Sequence, residues 1–86
     1  MYDLVTKSKK AEKQYYEILY SRKDIFEKLE RLRKDPRKDL DAHKLKGKLE
    51  GLWSCSLGSN TRMVYRIDDE KKEIVVFAVG SHKIYG

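Results

Sequence analysis

The chain has little that would tie it to export, to a membrane or to a metal. Cysteine occurs once among 86 residues, as Cys55. An internal disulfide and a thiolate cluster are both excluded, and the alternating apolar residues around Cys55 mark it as a small buried side chain. No run of 18 consecutive apolar residues exists, and the opening MYDLVTKSKK lacks the apolar stretch of a signal peptide. A cytoplasmic location without membrane contact is the expectation. There is no glycine-rich phosphate loop, no pair of catalytic carboxylates, no metal-ligand cluster and no nucleophilic triad. Whatever chemistry the chain performs is expected to need neither cofactor nor metal. Histidine is scarce too, with only His43 and His82.

What is abundant is positive charge. Lys and Arg number 20 against 14 Asp and Glu, for a net charge of +6, which suits RNA, DNA or an acidic protein segment as a partner. Charge alone leaves those three open. The length accommodates one compact domain, residues 1–86, with a modest core.

The opening YDLVT reads as a short strand at or beside a sheet edge. Ser8 then caps a helix in which Ala11, Tyr15, Ile18 and Leu19 share one face, with Lys9, Lys10, Lys13 and Glu17 on the other. Ser21 followed by Asp24 has the spacing of a capping box for a second helix, whose apolar stripe is Ile25, Phe26, Leu29 and Leu32. Asp35-Pro36 ends it, because proline forces the preceding residue out of helical geometry. So short a link predicts an antiparallel helical hairpin. A polar connection, RKDLDAHKLKGKLEG, follows and is long enough to carry function. In LWSCSL, Trp53, Cys55 and Leu57 alternate with Ser54 and Ser56, and GSN provides a tight turn into a strand where Met63, Tyr65 and Ile67 oppose Arg62, Val64 and Arg66. IVVFAVG is apolar on both faces and belongs mid-sheet. The expected class is α+β: a strand, a helical hairpin and a three-stranded antiparallel meander.

Two histidines beside a cationic rim suit acid–base work on a phosphodiester. Histidine, with a reference pKa of about 6.5, takes either proton role near neutrality, and Arg or Lys supplies charge at phosphorus. Lone histidines in loops are more often solvated or packed. Lys44, Lys46 and Lys48, spaced by two, would form a phosphate-binding stripe if extended, or a solvated loop. Arg62, early in its strand, suits a bidentate phosphate contact. Lys83 adds charge near the C-terminus, and Tyr85 can stack a base, donate a phenolic proton or simply pack under the sheet.

The runs HKLKGKLEGLWSCSLGSNTRMVYRID and IVVFAVGSHKIY together resemble the RelE/ParE toxin superfamily, within it the RelE-like branch that includes YoeB and YafQ. The shared features are Leu-Lys-Gly, Gly-x-Trp-Ser, an arginine and Val-Tyr, and the likeness spans essentially the whole chain. It implies a RelE-like microbial RNase fold and the toxin of a type II toxin–antitoxin pair. Such a toxin would cleave mRNA in the ribosomal A site and be held inactive by a RelB-like antitoxin, through which the complex binds operator DNA. On that likeness Arg62 matches the phosphate-stabilising arginine, His43 the position of a proposed base, His82 a C-terminal Arg or His, and Tyr85 the closing tyrosine. Lys44, Lys46 and Lys48 would follow the RNA backbone, with Arg66 and Lys83 contributing charge. Relatives often carry Lys or Arg where this chain has Ser54 and Ser56, which can hydrogen-bond a phosphate without neutralising it. Two other readings stand beside the first: a ParE-like gyrase inhibitor, and an inactive toxin acting only in a repressor complex with its antitoxin.

Overall fold

The computed structural model describes residues 1–85, with the side chains of His82 and Tyr85 outside that description. Strand β1 (Asp3–Thr6) leads into helices α1 (Lys9–Ser21) and α2 (Asp24–Lys34), followed by strands β2 (His43–Lys44), β3 (Trp53–Gly58), β4 (Thr61–Asp68) and β5 (Glu73–Gly80). The five strands form one sheet in the order β1-β5-β4-β3-β2. β1 lies at the edge, as its sequence suggested, and runs parallel to β5, while all other pairs are antiparallel. The apolar run of β5 is explained by this central place, between β1 and β4.

The helices cover one face of the sheet. Ile25, Leu29 and Leu32 of α2 pack with Cys55, Leu57, Met63, Tyr65, Ile74, Val76 and Val79, all nearly or fully buried. Each large apolar side chain so enclosed contributes about 1.5–3 kcal/mol relative to exposure. Phe26 departs from the expected stripe: it is 65% exposed, because α2 is covered only by the narrower arc through positions 25, 29 and 32. Ser8 caps α1 as its sequence predicted, its hydroxyl accepting from the Ala11 N–H at 3.1 Å. Ser21 does not cap α2. It is the last residue of α1 and donates to the Ile18 carbonyl, and α2 begins after Lys23, which provides no side-chain cap. Asp24 instead pairs with Arg22 at 2.6 Å.

Ser59 and Asn60 both have positive φ, 50° and 62°, as a two-residue type I′ hairpin turn requires. Arg22 fastens this hairpin to the helices by donating to the carbonyls of Leu57 and Gly58. The long connection after Pro36 is more ordered than its polar sequence suggests. It contains single 3-10 turns at Asp39–Asp41 and Gly47–Leu49, and the two-residue β2 that extends the expected meander. The buried Tyr65 hydroxyl anchors its start by donating to the Pro36 carbonyl at 2.6 Å.

Candidate functional site

The face of the sheet turned away from the helices carries the candidate residues. Alternation along β4 sends Met63 and Tyr65 to the core and Arg62, Val64 and Arg66 to the other side. Strand register extends that surface sideways: His43 is opposite Ser54, Ser54 opposite Val64, and Ser56 opposite Arg62. His43 and Arg62 thus share a face. Two strand spacings and two residues of rise separate their Cα atoms by about 12 Å, so the two long side chains can reach toward one phosphodiester between them.

His43 is exposed, and its Nδ1 lies 3.1 Å from the Asp41 carbonyl oxygen. A carbonyl can only accept, so Nδ1 carries the proton and the neutral ring keeps its lone pair on Nε2. That is the tautomer a proton acceptor needs. Arg62 is half-buried, and among the described residues no acidic side chain pairs with it. Arg66, farther along the face, is exposed and only weakly tied to Asp68 at 4.0 Å.

The two serines differ sharply. Ser54 is fully buried and engaged within the protein, so it is not presented to a bound strand. Ser56 is half-buried, and its hydroxyl accepts from the Gly58 N–H at 3.3 Å. The lysines do not line up, because the chain turns rather than extends after Lys44. Lys44 is opposite Trp53, on the helix-side face, with its Nζ 5.8 Å from the indole ring. Lys46 helps line a pocket of about 510 Å³ next to Lys44 and Trp53, and Lys48 is exposed within the 3-10 turn.

At the other end of the face, the 3-10 turn His82–Tyr85 follows β5 after one residue. Gly80 is opposite Arg62, and a Cβ at Gly80 would meet Ile84 Cγ2 at 2.8 Å. The missing side chain allows the C-terminal turn to fold onto the same face as Arg62, which carries the backbone of His82, Lys83 and Tyr85 toward it. The side chains assigned to proton transfer and stacking, His82 and Tyr85, lie outside the described residues; Lys83 is exposed. Sequence reasoning missed Gly80 and the Asp41 carbonyl, the first because its demand comes from a contact four residues on, the second because a backbone acceptor has no residue signature. Among the described residues no cluster of three metal-ligating side chains occurs, and no helix is long and apolar enough to cross a membrane.

Residues 5–84 match the family model described as the ParE toxin of the type II toxin–antitoxin system parDE. Among solved structures, a YoeB/ParE toxin from Agrobacterium tumefaciens is similar at 22% identity and a TM-score of 0.75, over 93% of this chain and 98% of that one. The toxin–antitoxin complex RelBE2 from Mycobacterium tuberculosis gives 24% identity and 0.72, over 94% and 98%. A YoeB–YefM complex from Staphylococcus aureus gives 23% and 0.73, over 95% and 98%. These likenesses show a shared fold. No curated protein sequence matches the chain.

Proposed function

The chain belongs to the ParE toxin family of type II toxin–antitoxin systems, within the RelE/ParE superfamily, and from that premise we propose that it is a metal-independent endoribonuclease that cleaves mRNA in the ribosomal A site. The observation that carries this reading is a histidine with its Nε2 lone pair on the same face as an arginine with which no acidic side chain among the described residues pairs. In the proposed reaction His43 Nε2 accepts the proton of an RNA 2′-hydroxyl, whose oxygen attacks the adjacent phosphorus. Arg62 holds the non-bridging oxygens as negative charge grows on them. The P–O5′ bond breaks, and His82 or Tyr85 returns a proton to the leaving oxygen, giving a 2′,3′-cyclic phosphate and a 5′-hydroxyl. Lys46, Lys48, Arg66 and Lys83 supply backbone contacts through charge, and Ser56 an additional hydrogen bond, whereas Lys44 lies over Trp53 on the other face. The ribosome contributes the substrate and its path. A RelB-like antitoxin, acidic and ordered on binding, neutralises the basic domain and carries the complex to operator DNA.

A second reading, gyrase inhibition without RNA cleavage, is favoured by the family model, while the serines at positions 54 and 56, in place of basic residues, favour a toxin without catalysis. An inactive toxin serving only in the repressor complex is the remaining alternative. Inducing the chain in cells while mapping mRNA 5′ ends and plasmid supercoiling separates them. New 5′-hydroxyl ends with normal supercoiling support the endoribonuclease; relaxed or broken DNA with intact mRNA supports gyrase inhibition; neither effect leaves the repressor role.

A further inference from the structure

The short turn before His43 is built in an unusual way. Leu40 and Asp41, neither of them glycine, both adopt left-handed backbone, with φ of 55° and 56°. Such conformations are uncommon for side chains of this kind, Asp tolerating them better than Leu, and persist only where neighbouring contacts impose them. Here the contacts converge on one carboxylate. Asp39 Oδ1 accepts from the Leu40 backbone N–H at 2.8 Å and from Arg31 of α2 at 2.6 Å. The Asp39 carbonyl closes the turn by accepting from the Ala42 N–H at 3.1 Å. What the turn presents at its far side is the Asp41 carbonyl, which receives Nδ1–H of His43.

We propose that Arg31 and Asp39 are positioning residues for His43: by holding residues 40 and 41 left-handed they aim the Asp41 carbonyl at Nδ1 and so fix the tautomer that leaves Nε2 able to accept a proton. This rests on His43 being the base of the proposed reaction, but its structural half stands apart from that assignment. The link from α2 to the imidazole passes through backbone, so neither Arg31 nor Asp39 touches the reacting atoms. With Arg31 exposed and Asp39 half-buried, the ion pair contributes modestly to stability. A carbonyl acceptor selects one of two neutral tautomers where solvent would leave both populated.

The test is nitrogen NMR of the His43 ring at a pH where it is neutral, in the native chain, Asp39→Ala and Arg31→Gln, with circular dichroism confirming the fold of each. In the native protein Nδ1 is expected to show the protonated signature and Nε2 the lone-pair signature; in Asp39→Ala the two are expected to average toward each other. Adding Asp41→Asn, a residue that accepts left-handed backbone readily, is expected to restore the native pattern in part. Ribosomal cleavage should fall about tenfold in Asp39→Ala and recover with the same second change. A native tautomer in both Asp39→Ala and Arg31→Gln would overturn the inference. A tautomer that shifts while cleavage does not would uphold the positioning role and remove His43 from the reaction, so the two failures are distinguishable.

Discussion

Replacing Tyr65 by Phe removes one oxygen atom and nothing else, from a side chain with no solvent exposure. The ring still fills its place in the core, so no cavity opens. The hydroxyl that is lost donates to the Pro36 carbonyl at 2.6 Å in a buried setting, and the acceptor left behind has no water to turn to. An unsatisfied buried polar group costs about 1–3 kcal/mol. Taking about 1.5 kcal/mol, and about 4–8 °C per kcal/mol for a domain of this size, the melting temperature should fall by about 6–12 °C. Burial, the largest influence, pushes the Tyr65 phenol well above its ordinary value of 10.0. With the folded pKa raised, its contribution is fully present below the unfolded value near 10 and is lost only above it. The deficit of Tyr65→Phe should therefore be constant from pH 5 to pH 9. Thermal melts and urea titrations read it as a lower midpoint with an unchanged slope. A fall of less than about 2 °C would refute the reasoning, since it would mean that the Pro36 carbonyl finds another partner at almost no cost.

Three further outcomes are expected. Gly80→Ala should displace the C-terminal turn and reduce RNA cleavage with little change in melting temperature, because its Cβ would meet Ile84 Cγ2 at 2.8 Å; adding Ile84→Ala should recover cleavage if that clash is the cause, and no recovery would show that it is not. Asp69 is held down to about 2 by hydrogen bonds from Arg37 and then Tyr2; a depressed carboxylate contributes stability above its unfolded value that is lost as pH falls toward 2, so Asp69→Asn should lower stability at pH 7, leave it nearly unchanged at pH 2, and so flatten the profile between pH 4 and pH 2. Burial pushes the Cys55 thiol up to about 12, so a thiol reagent at pH 8 should modify it only on the timescale of unfolding; prompt reaction in the native protein would contradict its placement.

The parts of this molecule that were legible in its sequence are those written in periodicity. The core faces of α1, β3 and β4, the capping serine at position 8 and the tight turn at Ser59–Asn60 follow from local alternation and local sterics. What was not legible depends on partners far away. Phe26 has the right spacing for the core yet lies beyond the arc that the sheet covers. Ser21 has the spacing of a cap, but the helix continues through it. β2 exists because β3 offers a free edge to His43 and Lys44, not because those residues favour a strand. The same distinction runs through the site. Arg62 and His43 were identifiable by residue type and resemblance, and register places them on one face. That Ser54 is sealed inside, and that Lys44 lies over Trp53 on the opposite face, follows from the packing of neighbouring segments, which no spacing rule expresses.

The central claim is that this face cuts RNA with Arg62 stabilising the charge. Ribosomes programmed with a defined mRNA and an empty A site, incubated with the native chain or with Arg62→Ala, test it directly. The account predicts cleavage at the A-site codon by the native chain, leaving a 5′-hydroxyl end, and a loss of at least about a hundredfold with Arg62→Ala, as for removal of one charge-stabilising donor at a reacting centre. Equal cleavage by both proteins would contradict the assigned site, and no cleavage by the native chain would contradict the activity itself.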